Sequence, residues 1–154
     1  MHAAENRVIL LVEDKRDDAD LTLMALAESQ VKNPVVHVKD GAEAIDYIMR
    51  RGKHAQLEAA PITLVLLDLN LPKVGGLDVL RRIRENAESR MIPVVILTTS
   101  KEEEDLARGY ALGANSYIQK PIDFTRFSET VKQLSMYWLV LNECPPTPRK
   151  GGSQ

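Results

Sequence analysis

Two apolar runs in this chain end in carboxylates. Val8-Ile9-Leu10-Leu11-Val12 leads into Glu13-Asp14, and Ile62-Thr63-Leu64-Val65-Leu66-Leu67 leads into Asp68. Runs of this length and composition read as strands. In a parallel sheet their carboxyl ends share one edge, and three acids gather there. Crowded carboxylates repel, so either a pKa rises or a cation neutralises them. Hard oxygen ligands suit Mg²⁺, which commonly takes one or two carboxylates and keeps several waters. Two further residues fall on the same edge: Thr98, after Val94-Val95-Ile96-Leu97, and Lys120, after Ser116-Tyr117-Ile118-Gln119. A hydroxyl, an ammonium and a metal around one carboxylate is the set that phosphoryl transfer needs, because positioning and charge neutralisation supply most of that catalysis. Asp68 is the candidate nucleophile, able to form an aspartyl phosphate.

Each of these residues also has an ordinary reading when taken singly. Glu13 or Asp14 would serve as a helix N-terminal acid or a surface charge, Thr98 as a cap for the next helix, and Lys120 as a solvated lysine. It is their convergence on one edge that carries the chemical reading. Pro121, directly after Lys120, is the candidate for a cis peptide bond that fixes the lysine's aim; such bonds make up only ~5–6% of X–Pro bonds in folded proteins.

The elements that must position these residues are legible as strand runs at Val8–Val12, Val35–Val38, Leu64–Leu67 and Val94–Leu97, with a weaker one at Ser116-Tyr117-Ile118. Between them lie helical spacings: Leu21, Met24 and Ala25; Ala42, Ile45 and Ile48; Leu77, Leu80 and Ile83; Ala107, Tyr110 and Ala111. Strands alternating with helices indicate βαβ units, and strands apolar throughout indicate a sheet covered on both faces. Five such units with right-handed crossovers predict an α/β fold: a doubly wound five-stranded parallel sheet of order 2-1-3-4-5. Ligands in such sheets bind beyond the carboxyl ends of the strands at the switch point between strands one and three, where Glu13-Asp14 and Asp68 fall. Punctuation agrees. Asp17 and Asp18 are candidate N-caps for the first helix, Asp40 for the second and Asp123 for the last; Gly113 is a candidate C-cap, and Pro61 and Pro93 precede strands. Residues 51–60 form a long connection, the candidate surface insertion.

Composition excludes several classes. A chain of 154 residues with 44% hydrophobic and 27% charged residues is ordinary for one soluble domain. A net charge of -2 offers no basic surface for nucleic acid, and Arg50-Arg51 and Arg81-Arg82 read as solvated helix faces. The single Cys144 forms no internal disulfide, no apolar run reaches the ~18–20 residues of a membrane span, and no signal peptide opens the chain. A cytoplasmic protein is expected, with neither nucleic-acid nor membrane partners.

The motifs resemble the receiver domain of two-component response regulators. The pieces that match are Leu11-Val12-Glu13-Asp14, Leu66-Leu67-Asp68-Leu69-Asn70-Leu71-Pro72, Gly75-Gly76, Ile92-Pro93-Val94-Val95, Leu97-Thr98-Thr99 and Gly113 through Pro121, within residues 6–143. The resemblance implies a flavodoxin-like receiver fold. It also implies that Asp68 accepts a phosphoryl group from a histidine kinase and that Asp14, Asp68 and the Asn70 carbonyl bind Mg²⁺, with Glu13 acting through metal-bound water. Thr98 and Lys120 would contact the phosphoryl oxygens. Thr98 and Tyr117 would form the switch, Tyr117 filling the space that Thr98 leaves. Such a protein is a phosphoacceptor that assists its own phosphorylation and dephosphorylation, not an enzyme with a turned-over substrate. Glu13 stands where the family more often has Asp. A narrower likeness, to the small regulators paired with phytochrome-type histidine kinases, rests on Asp68 through Lys73, the insertion near Arg50–Pro61, Leu97 through Ser100, and Phe124, Phe127 and Tyr137-Trp138-Leu139.

Phe124, Phe127, Val131, Leu134, Trp138 and Leu141 are spaced 3, 4, 3, 4 and 3 apart, the core stripe of a last helix. Met136 through Leu141 is apolar all round, so Met136, Tyr137, Trp138 and Val140 are expected to meet a second copy in a homodimer. Residues 144–154, rich in Pro and Gly, read as a flexible tail without an output domain.

Three other readings compete. A haloacid-dehalogenase-type phosphohydrolase needs a second acid two residues after the nucleophile, where Asn70 stands. A flavodoxin-like electron carrier needs a hydroxyl-rich phosphate loop where Glu13 to Asp18 would repel one. A receiver-like module that never carries phosphate would usually have lost the acid pair or the lysine.

Overall fold

The computed structural model describes residues 7–28, 32–51, 61–69, 71–98 and 110–120 together with residues 125, 127 and 129; the side chains of Thr98 and Gln119 are outside the description. Among the described residues, five strands and three helices with both ends described follow in the order β1 (Val8–Val12), α1 (Arg16–Glu28), β2 (Val35–Val38), α2 (Gly41–Met49), β3 (Ile62–Asp68), α3 (Gly76–Glu85), β4 (Val94–Thr98) and β5 (Ser116–Gln119). The strands form one parallel sheet of order β2-β1-β3-β4-β5. This is the doubly wound order expected from the alternation of strand and helix patterns.

Both sheet faces are covered, as the all-apolar strands require. Leu10, Val12, Val65, Leu67, Val94 and Ile96 pack with Ala44, Ile45, Val79, Leu80 and Ile83 of α2 and α3. Their neighbours Ile9, Leu11, Leu64, Leu66, Val95 and Leu97 pack on the other face with Ala19, Ala25 and Leu26 of α1 and with Phe127. Period-two alternation thus sends successive residues of one strand to two different cores.

Helix α1 departs from the expected pattern. It begins at Arg16, so Asp17 and Asp18 lie in its first turn rather than capping it. Its buried face is Ala19, Thr22, Ala25 and Leu26, whereas Leu21 and Met24 are 37% and 54% exposed. Of the Leu21, Met24 and Ala25 spacing only Ala25 is on the buried face, because α1 turns Ala19, Thr22 and Leu26 to the sheet beside it and leaves Leu21 and Met24 outside. Helix α2 follows the reading: the Asp40 side chain accepts a 2.7 Å hydrogen bond from the Glu43 amide and caps it. Strand β3 spans the whole apolar run from Ile62, two residues before its Leu64–Leu67 core, and has Asp68 as its last residue. Gly113 has φ 97°, in the left-handed region that favours glycine, as a C-cap position requires. Asp123 and the 52–60 stretch lie outside the described residues.

The loop after β3 is anchored to two helix starts. A Cβ on Gly76 would overlap the Asp68 carbonyl oxygen, and one on Gly41 would overlap that of Val74. Only glycine permits both approaches. Lys73 adds an ion pair to Asp40 at 3.5 Å.

At the opposite, amino-terminal edge, Arg84 of α3 gathers the chain entering β4 and β5. Its Nε and Nη2 donate to the Gly113 carbonyl at 3.0 and 2.7 Å, and Nη1 donates to the carbonyls of Arg90 and Ile92 at 3.0 and 2.7 Å. Nη2 also donates to Asn115 Oδ1 at 3.0 Å, and that oxygen accepts from the Val94 amide at 2.8 Å. Burial draws the Arg84 guanidinium below its ordinary pKa.

Candidate functional site

Register brings the chemistry to one edge. Val12 lies beside Leu67, Asp68 beside Leu97, and Thr98 beside Gln119. The residues that end or follow β1, β3, β4 and β5 therefore meet at the carboxyl edge of the sheet.

Glu13, Asp14 and Asp68 each offer a carboxylate oxygen, and these oxygens lie within 4.8 Å of one another. Glu13 is fully buried and Asp68 nearly so, while Asp14 is exposed, so the cluster opens to solvent on the Asp14 side. Lys120 is buried, contrary to the usual fate of lysine. Its ammonium donates to Glu13 Oε1 at 2.5 Å, to Asp18 Oδ2 at 2.9 Å and to Asp68 Oδ2 at 3.4 Å. Three acids, Glu13, Asp18 and Asp68, thus stand around one ammonium, and Asp14 completes the carboxylate cluster beside it.

Electrostatics follow from this imbalance. Burial, then the hydrogen bond with Asp68, raises Glu13 from 4.5 to about 7 against the pull of Lys120. Burial alone would lower Lys120, but its hydrogen bonds to Glu13 and Asp18 and the charges of Asp68 and Glu13 outweigh it and leave the lysine raised. We take Lys120 as the firmly charged member and Glu13 as the one that titrates. A surplus of hard oxygen donors, one of them forced toward protonation, fits a divalent cation.

Glu13 is held from three sides. Besides Lys120, its Oε2 accepts from the Lys15 amide at 3.2 Å, and its carbonyl oxygen lies 2.7 Å from His37 Nε2, which donates to it. Neither His37 nor Asp18 stood out as a site residue in the sequence. The register Leu11↔His37 is what sets the imidazole beside Glu13. For Asp18 a signal did exist: the helix after an acid-ended strand starts at the same edge, so an acid in its first turn faces the site. Tyr117 is half-buried in β5, its ring centroid 6.4 Å from that of Tyr110. The backbone of Thr98 closes β4 at the site edge. Asn70, Pro121, and the dimer residues Met136, Tyr137, Trp138 and Val140 lie outside the described residues, as do the tail and most of the last helix apart from the buried Phe127. Among the described residues no helix is long and apolar enough to cross a membrane.

A family model described as "Response regulator receiver domain" matches residues 9–132. The "Probable methanogenesis regulatory protein FilR2" of Methanothrix harundinacea (strain 6Ac) is 38% identical over 146 residues, covering 94% of this chain and 92% of that one. The phosphorylated cyanobacterial phytochrome response regulator RcpA, a crystal structure, has TM-score 0.78 at 40% identity and covers 92% of this chain and 99% of its own. The Mn²⁺-bound form of response regulator Rcp1 has TM-score 0.77 at 34% identity, covering 91% and 99%. Rcp1 of Synechocystis sp. (strain ATCC 27184 / PCC 6803 / Kazusa) is 37% identical over 134 residues, 86% of this chain and 89% of that protein.

Proposed function

The chain belongs to the response regulator receiver family of two-component signalling, and from that premise we propose that Asp68 accepts a phosphoryl group from a phytochrome-type histidine kinase. The observation that carries this reading is the buried pairing of Asp68 with Lys120 at 3.4 Å, inside a cluster where the oxygens of Glu13, Asp14 and Asp68 come within 4.8 Å. The phytochrome pairing rests on the likeness to RcpA, which is itself a phytochrome response regulator.

In the transfer, an Asp68 oxygen attacks the phosphorus of a phosphohistidine. The new O–P bond forms as the P–N bond breaks, and the bonding pair departs with the imidazole nitrogen, which takes up a proton from solvent. Asp68 is suited to this because the Gly76 approach and the sheet hold its backbone, leaving little freedom to be lost on reaction. Lys120, anchored by Glu13 and Asp18, presents a fixed positive charge where the phosphoryl oxygens gather. Glu13, Asp14, Asp68 and the Asn70 carbonyl would hold Mg²⁺, which when bound neutralises the charge of the incoming group. The Mn²⁺-bound Rcp1 supports a divalent ion in a relative. Thr98 is assigned to the phosphoryl oxygens and, with Tyr117, to the change of shape that alters protein contacts.

The test is phosphotransfer. A phytochrome-type histidine kinase labelled from radioactive ATP is mixed with the protein in Mg²⁺, wild type beside Asp68→Asn. Label should pass to wild type and not to the variant. Equal label on both would reject Asp68 as the acceptor.

A further inference from the structure

The Lys120 ammonium has three N–H donors, and three carboxylates surround it. Glu13 takes it at 2.5 Å, Asp18 at 2.9 Å and Asp68 at 3.4 Å. Its donors are therefore in full use in this structure, and the Asp18 bond ties the first turn of α1 to the residue that follows β5.

A phosphoryl group on Asp68 places about −1.5 to −2 of charge and three strong acceptor oxygens beside this ammonium. Asp68 now takes one donor, the longest contact at 3.4 Å, and lysine has no fourth, so a second contact to the phosphoryl oxygens has to come from a partner that yields. The side chains differ in what yielding costs them. Glu13 is 0% exposed, so freeing it would leave a buried carboxyl with no water to take the place of the ammonium. Asp68 is the modified residue itself. The Asp18 side chain is 28% exposed, so water can replace the ammonium at its oxygen. It also stays in the first turn of a helix, where the macrodipole favours an acid with or without a partner.

We propose that Asp18 is a positioning residue for Lys120, and that on phosphorylation of Asp68 the ammonium exchanges Asp18 for a phosphoryl oxygen and so unties the first turn of α1. The inference rests on the phosphoacceptor reading above. It adds a second output from the site: a local loosening of α1, on the face of the sheet where Ala19, Ala25 and Leu26 pack.

Hydrogen exchange tests it. Amides of residues 19–22, whose helical bonds close the first turn, are followed in Mg²⁺ with and without acetyl phosphate, and intact mass is taken on the same samples. In wild type the adduct should appear and exchange at these amides should rise roughly three- to tenfold, the scale of losing one partly exposed charged tether. Asp18→Asn, in which Lys120 lacks that anchor, should form the adduct more slowly, exchange fast beforehand and show no further rise once its mass shows the adduct. Asp18→Glu, which keeps the charge, should restore the wild-type response. An adduct on wild type with unchanged exchange at 19–22 overturns the exchange of partners while leaving Asp68 as acceptor. Absence of an adduct on wild type overturns both.

Discussion

Glu13 is the residue whose charge state most depends on its surroundings. The folded state raises it from 4.5 to about 7, chiefly by burial. A carboxyl with a raised pKa binds its proton more tightly in the folded than in the unfolded chain. Its contribution to stability is therefore full below the unfolded value and is lost as pH rises through the folded one. With metal removed by a chelator, the wild type should lose on the order of 3 kcal/mol relative to Glu13→Gln as pH rises from about 4.5 to about 7, with no further loss from this group above that. Urea unfolding across that range measures the difference; parallel pH profiles for the two proteins would show that Glu13 carries no such cost. Mg²⁺ should shrink the loss, because a divalent cation favours the ionised carboxylate. Lys120 takes no part in this loss: its raised pKa keeps it charged throughout this window. The buried lysine thus serves as a fixed charge and the glutamate as the adjustable one.

Among the elements, α3 does most to hold the two ends of the sheet in register with each other. Its first residue, Gly76, seats on the Asp68 backbone, and its last turn carries Arg84 into the chain before β4 and β5. Arg84→Ala removes charged hydrogen bonds to the carbonyls of Gly113, Arg90 and Ile92 and to Asn115, leaving acceptors without their donor. The expected cost is ~2–4 kcal/mol in urea unfolding, with Arg84→Lys recovering only part, because an ammonium lacks the planar fork. Phosphorylation at Asp68, at the far edge, should persist in the variant. A change under ~0.5 kcal/mol would mean that these loops are set by packing alone. None of this was legible beforehand. Arg84 looks like any arginine on the exposed side of an amphipathic helix, and its partners are backbone carbonyls that carry no residue signature. The same blindness applies to the face of α1: Leu21 and Met24 outweigh Ala19 and Thr22 in any count of apolar spacing, yet the sheet takes Ala19 and Thr22 with Ala25 and Leu26.

At the scale of the whole molecule, the strand order and the site edge could both be reasoned from the chain. Strands apolar on both faces demand two covering layers, right-handed crossovers restrict the topology, and the acids at the ends of β1 and β3 then fall at the switch point. The third and fourth contributors to the cluster were unequally visible. Lys120 was found because it follows a strand. Asp18 was masked because aspartate at a helix start reads as a cap, although the helix starts at the site edge, and the 2.9 Å distance to Lys120 shows its second use. His37 was hidden because pairing register cannot be read from one sequence. What unites these residues is one arrangement: the fold assembles Glu13, Asp18 and Asp68 around one lysine, and the proposed phosphoryl transfer to Asp68 would act on that set.

The measurement that tests this most directly is intact mass after incubation with acetyl phosphate, for wild type and Asp68→Asn, in Mg²⁺ and in EDTA. Acetyl phosphate transfers its phosphoryl group with acetate leaving. The prediction is one added phosphoryl group on wild type in Mg²⁺ alone, and none on the variant or in EDTA. An adduct of equal size on Asp68→Asn, or one on wild type that is indifferent to EDTA, would contradict a metal-assisted aspartyl phosphate at Asp68.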